Sequence, residues 1–243
     1  MTRFFVSADA LKIDSVTLTG ENAAHAKVLR IKQGEEVLVC DGQGNECVCV
    51  VDQCTKNEVF LSVKERKVSN SEASVRVSVY VGFPKADKLE HVIQKATELG
   101  AMEIVAFPSS RCVSKPDEKS LSKKMERWQK IASSAAEQSG RGRVPEVVVL
   151  SSFTKALERA LEADKAILFY ENESATTLHM ALEGQCFHSV SLITGPEGGF
   201  DESEVVQAAH SGIQICTLGK RILRCETAPL CALSAVMYAA GEF

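Results

Sequence analysis

Val190-Ser191-Leu192-Ile193-Thr194-Gly195-Pro196-Glu197-Gly198-Gly199-Phe200-Asp201-Glu202-Ser203-Glu204 carries three signals in succession. The opening apolar run suits a strand buried on both faces. The loop that follows holds three glycines, which permit positive φ and let a ligand approach the main chain closely. Asp201 with Glu204 then has the form of a capping box at the start of a helix. Strand, glycine loop and helix in this order describe a parallel sheet covered by helices, in which ligands bind beyond the carboxyl ends of strands. The spacing is neither the Gly-x-Gly-x-x-Gly fingerprint nor a phosphate loop ending in Lys-Ser/Thr, so a pyrophosphate cofactor is disfavoured. A ligand held by backbone groups, with the Glu197 carboxylate nearby, fits better.

The same alternation extends to both sides. Strands are expected at 75–81, 103–107, 146–150, 166–170, 190–194 and 213–218, and helices at 88–99, 119–139, 154–163, 202–210 and 227–240. A second unusual loop follows the strand at 213–218: Gly219-Lys220-Arg221-Ile222-Leu223-Arg224-Cys225-Glu226-Thr227-Ala228-Pro229. Thr227 is placed to cap the next helix, with Pro229 in its first turn. Lys220, Arg221 and Arg224 crowd five residues, and Ile222 and Leu223 between them are expected to turn inward while the arginines face an anion. Pairing of Arg224 with Glu226 at the helix start is the plain structural alternative.

Upstream of residue 70 the texture is β-rich. Apolar runs at 4–6, 36–40, 47–51 and 59–63 surround one short helix at 22–32, and a small barrel would close such strands without free edges. The polar stretch Ser69-Asn70-Ser71-Glu72-Ala73-Ser74 marks a boundary. The expectation is therefore a β-barrel over residues 1–70 and an α/β domain over residues 75–243.

The 243 residues are 45% hydrophobic and 25% charged with a net charge of −4, values of an ordinary globular protein. No run reaches the length of a membrane helix and the first 19 residues lack a leader pattern, which makes the cytoplasm the expected location and a membrane partner unexpected. The charge is unevenly placed: residues 75–145 carry +5 and residues 146–243 carry −7. Lys115, Lys119, Lys123, Lys124, Arg127, Lys130, Arg141 and Arg143 make the central segment a possible nucleic-acid surface or simply a solvated helix face. The nine cysteines form no Cys-x-x-Cys pair, so no metal site is expected. They read as small hydrophobes, with Cys112 and Cys225, each beside an arginine, the two with redox potential.

Residues 83–90 (Phe83-Pro84-Lys85-Ala86-Asp87-Lys88-Leu89-Glu90), 94–101, 135–141, 195–200 and 221–233 occur in the order found in the small-subunit ribosomal RNA uridine-N3 methyltransferases of the SPOUT superfamily. The resemblance spans the whole chain. It implies a PUA-like N-terminal barrel, a SPOUT α/β domain with a trefoil knot, and a homodimer. It also implies S-adenosylmethionine as methyl donor and a uridine of 16S ribosomal RNA near the decoding site as acceptor. By position, Gly195, Glu197, Gly198, Leu218, Gly219, Ile222 and Leu223 would line the cofactor pocket. Arg3, Phe4 and Phe5 match the family's N-terminal start and, with Arg30, Arg111 and Arg141, would face RNA. His25 stands one residue nearer Val28-Leu29-Arg30 than in the family's pattern, Lys220 replaces a frequent Pro, and Cys225 a frequent Thr or Ala.

Methylation at uracil N3 needs loss of the imide proton and a group that stabilises charge on the ring oxygens. Arg224 is the candidate for the second task. Glu226, then Glu197, then Glu137 are candidates for the base, each requiring a pKa raised by burial. A SPOUT ribose 2′-O-methyltransferase and a non-catalytic ribosome-assembly protein are the rival functions.

Overall fold

The structure is a computed structural model that describes residues 1–113 and 118–243, with Glu118 described by its backbone only. Lys115, part of the expected basic run, lies outside the described residues. The chain forms two compact units. One comprises Met1–Glu72 and Ala136–Val144, the other Ala73–Ala135 and Pro145–Phe243.

The first unit is a five-stranded sheet in the order β1-β3-β4-β5-β2, built from β1 (Thr2–Phe5), β2 (Ser15–Leu18), β3 (Glu36–Cys40), β4 (Asn45–Cys54) and β5 (Val59–Val68), with α1 (Gly20–Val28) between β2 and β3. Only the β1/β3 pairing is parallel. Phe4, Leu18, Val39, Cys47, Cys49, Val51 and Leu61 fill its core. Cys47 and Cys49 thus pack as small hydrophobes on the buried face of β4. β4 and β5 run farther than their apolar segments, because backbone pairing with two bulges carries the polar residues Asp52, Lys64 and Lys67 along the exposed face.

Glu72 explains why residues 136–144 join this unit. Its carboxylate accepts hydrogen bonds from the Arg141 guanidinium at 2.6 Å and from the backbone N–H groups of Gly142 and Arg143, both at 3.1 Å. The stretch expected to belong with the α/β domain therefore returns to the sheet unit.

The second unit is a parallel six-stranded sheet, β11-β9-β10-β6-β7-β8. Its strands are β6 (Arg76–Gly82), β7 (Glu103–Phe107), β8 (Glu146–Val149), β9 (Lys165–Phe169), β10 (Ser189–Thr194) and β11 (Gln214–Cys216). Its helices are α2 (Lys88–Glu98), α3 (Glu118–Ser139), whose last turn groups with the first unit, α4 (Phe153–Ala160), α5 (Leu178–Leu182), α6 (Glu202–His210) and α7 (Ala228–Ala239). β10 reads Ser-Val-Ser-Leu-Ile-Thr and is buried along nearly its whole length, as a central strand covered on both faces must be. The chain builds β6, β7 and β8 outward, then crosses to place β9 beyond β10. That reversal opens a crevice at the carboxyl ends of the strands.

Candidate active site

The crevice is a cleft of about 930 Å³ walled by the segments that leave β9, β10 and β11. Gly195, Glu197, Gly198, Leu218, Gly219, Ile222 and Leu223 all line it, together with Phe169, Tyr170, Glu171, Glu173, Arg221, Arg224 and Cys225. Sequence reasoning named both glycine-bearing loops but not the third wall, residues 169–177. That wall carries no glycine signal, and Glu171 and Glu173 look like ordinary surface carboxylates.

The capping box forms as expected. The Asp201 side chain accepts from the Ser203 N–H at 3.1 Å, and Glu204 accepts from the Asp201 N–H at 3.0 Å. Glu204 also accepts from the N–H and hydroxyl of Ser110. Arg111 completes this brace, donating to the Gly198 carbonyl and to Asp201, both at 3.2 Å. Gly199 has φ +67°, and a Cβ there would lie 2.4 Å from Glu171 Oε1. Gly82, at the end of β6, touches the loop from the other side: a Cβ would fall 2.6 Å from Pro196 Cδ and 2.9 Å from its nitrogen.

Arg224 is exposed, and its side chain makes no hydrogen bond among the described residues. Its carbonyl accepts from the N–H groups of Thr227 and Ala228, so the backbone is fixed while the guanidinium stays available. Thr227 occupies the N-cap position of α7 but makes no capping bond. Ile222 does not turn inward; it is 87% exposed on the cleft rim.

Glu197 and Glu226 differ from expectation. Lys88 Nζ sits 3.0 Å from Glu197 Oε1 and 3.2 Å from Glu226 Oε2. Burial pushes the Glu197 carboxyl up, but the Lys85 N–H, its own N–H and Lys88 outweigh this and hold it below the usual range. Glu226 is likewise lowered: burial opposes, and its own N–H, the Cys225 thiol and Lys88 prevail. Both carboxylates are therefore depressed, not raised as a base would require. Glu137 is raised, because burial outweighs the nearby His25; it belongs to the first unit, with Oε1 3.2 Å from His25 Nδ1. Burial, with neighbouring Glu226, pushes the Cys225 thiol up to about 12, which removes it as a reactive thiolate. No group of three or more metal-ligating side chains occurs among the described residues.

The RNA-facing candidates separate. Phe4 is 0% exposed in the core of the first unit, so it presents no face for stacking, and Phe5 is half-buried. Arg3 is buried against Glu46 at 2.8 Å, and Arg141 is buried against Glu72. The outward roles expected of Arg3, Phe4 and Arg141 are thus corrected: each is consumed by packing or by an internal ion pair. Arg30 is exposed with φ +56°, beside exposed Lys27, Val28, Leu29 and Lys32. Arg111 is half-exposed and braces the glycine loop.

Comparison with known proteins places these features. Residues 71–237 match the family model of the RNA methyltransferase domain, and residues 18–64 that of the RNA methyltransferase PUA domain. The chain is 39% identical to ribosomal RNA small subunit methyltransferase E of Bacillus subtilis over 98% of this chain and 96% of that protein. A crystal structure of ribosomal RNA small subunit methyltransferase E from Neisseria gonorrhoeae, bound to S-adenosyl methionine, superposes with a TM-score of 0.87 at 29% identity, covering 98% of this chain and 97% of that one. A methyltransferase from Legionella pneumophila with bound cofactor SAM gives 0.86 at 28% identity, covering 98% of each chain.

Proposed function

Because the chain belongs to the ribosomal RNA small subunit methyltransferase E family, we propose that it methylates N3 of one uridine in 16S ribosomal RNA, near the decoding site of the small subunit, using S-adenosylmethionine. The observation that carries this reading is Arg224: a cation whose side chain makes no hydrogen bond among the described residues, on the wall of a cleft that also presents glycine backbone, apolar side chains, carboxylates and the neighbouring cations Lys220 and Arg221.

The cleft fits the cofactor. Leu218, Leu223 and Phe169 offer apolar surface to an adenine, the loop amides offer donors and acceptors, and Glu171, Glu173 and Glu197 offer negative charge to a cationic methionyl tail. When bound, S-adenosylmethionine supplies a methyl group on an electrophilic sulfonium. Arg224 then stabilises the charge that grows on the uracil oxygens as the N3 proton passes to solvent, in a walled site where such a charge acts strongly. Glu197 and Glu226 are not assigned as the base, since Lys88 stabilises their charged forms and weakens them as proton acceptors. The glycine loop, braced by Arg111 and Glu204, fixes the cofactor side of the geometry.

RNA contact is assigned to exposed cations: Lys27 in the last turn of α1 with Arg30 and Lys32 just beyond it, and Lys119, Lys123 and Lys124 on α3. Such contacts weaken with salt.

The homodimer is proposed from α7. Ala228–Ala239 contains no charged residue, buries Pro229, Ala232, Leu233, Val236 and Met237, and still exposes Cys231 and Tyr238. A helix apolar on all sides belongs in an interior, and a second copy, also covering Ile222, would provide one. A trefoil knot around the cleft-lining loops is part of the same proposal, as is action in the cytoplasm, where small subunits mature. Among the described residues no helix is long and apolar enough to cross a membrane. Transfer of labelled methyl to 30S particles lacking the modification tests the reading.

A further inference from the structure

We infer that Lys88 is a positioning residue that ties the two cleft loops together from behind, through Glu197 and Glu226, and so sets the place of Arg224 relative to the glycine loop. The inference rests on the proposed methyl transfer and deepens it. Lys88 opens α2, where a cation opposes the helix dipole, so its position calls for a compensating partner. It has two, from different segments: Glu197 at 3.0 Å in the loop after β10, and Glu226 at 3.2 Å before α7.

Glu197 also accepts from the Lys85 N–H at 3.0 Å, which adds a second tie from the start of α2. Glu226 accepts from the Cys225 thiol at 3.2 Å, and that thiol is 3.7 Å from Lys88 Nζ. Among the described residues that line the cleft are Glu197, Arg224 and Cys225, while Lys88 and Glu226 stand outside the lining. Lys88 therefore acts through the residues that it binds. It acts on the wall, two residues from Arg224 through Glu226 and within the glycine loop through Glu197. The hydrogen bond with Glu197 raises the Lys88 pKa despite partial burial, with Glu226 adding to it, so the cation persists through the working range. The groups facing it are Glu197, Glu226 and the Cys225 thiol.

The test uses the full chain and the variants Lys88→Met and Lys88→Arg. Three readouts are compared: S-adenosylmethionine affinity by calorimetry, single-turnover methyl transfer to unmodified 30S particles across pH, and the titration of Glu197 and Glu226 by carboxyl-carbon NMR. The ammonium favours the charged carboxylates, so its removal raises both pKa values. In Lys88→Met both carboxylates should titrate at higher pH, cofactor affinity should fall about tenfold, and Lys88→Arg should recover most of both. Should Lys88→Met fail to fold, Lys88→Arg against Glu226→Gln carries the comparison: Glu226→Gln cuts one tie and slows transfer, while Lys88→Arg keeps both. Unchanged affinity and unmoved carboxylate titrations would overturn the inference. If the wild-type protein transferred no methyl at all, the functional reading would fall, and the NMR titrations would still decide the role of Lys88.

Discussion

Arg3 donates through Nη1 to Glu46 at 2.8 Å inside the first unit, with side-chain exposures of 9% and 3%. Burial raises the Glu46 carboxyl, but Arg3 and Lys67 outweigh it and leave the pKa lowered. A folded pKa below the unfolded one gives stability that is present above the unfolded value and lost as pH falls through the folded one. Arg3→Met should therefore destabilise this unit, by less than the about 3–5 kcal/mol of a fully stranded buried charge, because Lys67 still pairs with Glu46 at 3.4 Å. Thermal melts at neutral pH and below pH 4 check this: the gap between wild type and variant should shrink at the acid end.

Gly82→Ala should damage the site more than the fold. The new Cβ would strike Pro196 at backbone distance and displace the glycine loop. Methyl transfer should fall on the order of 10²-fold, as displacement by about an ångström can cause, while the melting temperature moves little. Gly199→Ala adds strain at φ +67° and crowds Glu171, so it should lower both.

Arg224→Ala should reduce kcat on the order of 10²–10³-fold, the scale of losing a preorganised stabilising group. Cofactor affinity, measured by calorimetry, should stay close to wild type, because Arg224 acts on the acceptor. Arg224→Lys should recover only a part, since an ammonium cannot bridge two oxygens as a guanidinium does.

Thiol alkylation followed by mass spectrometry separates the cysteines. Cys54 and Cys186 are exposed and should label at any protein concentration. Cys225, buried beside Glu226, should label only on unfolding. Cys231 sits on the uncharged face of α7 and should label at low concentration but be protected where the proposed dimer forms.

Legibility in the sequence followed the range of the forces involved. β3, β7 and α6 match their expected bounds, because apolar periodicity and the Asp201/Glu204 capping box are local signals. β2 was missed: Ser15–Leu18 alternates over only four residues and gains its stability from pairing with β5. α5, a five-residue helix capped by Thr177, is too short to show a period. The return of Arg141 and Gly142 to Glu72 spans about 70 residues and leaves no local trace. In the site, both loops were legible from their glycines and cations. The states of Glu197 and Glu226 were not, because they depend on Lys88, more than a hundred residues away in sequence. One signal did exist, a lysine at a helix start where the dipole disfavours it. Arg3 and Phe4 were misread for a related reason: a basic and aromatic N-terminus suggests RNA, and only tertiary packing reveals that β1 buries both.

The most direct measurement is transfer of labelled methyl from S-adenosylmethionine to 30S particles lacking the modification, followed by digestion and identification of the labelled nucleoside. The account predicts a single product, N3-methyluridine, with a matching reverse-transcription stop in 16S ribosomal RNA, because N3 methylation blocks the pairing edge. Label on a ribose 2′-oxygen, or no transfer by a protein that binds the particles, would contradict it.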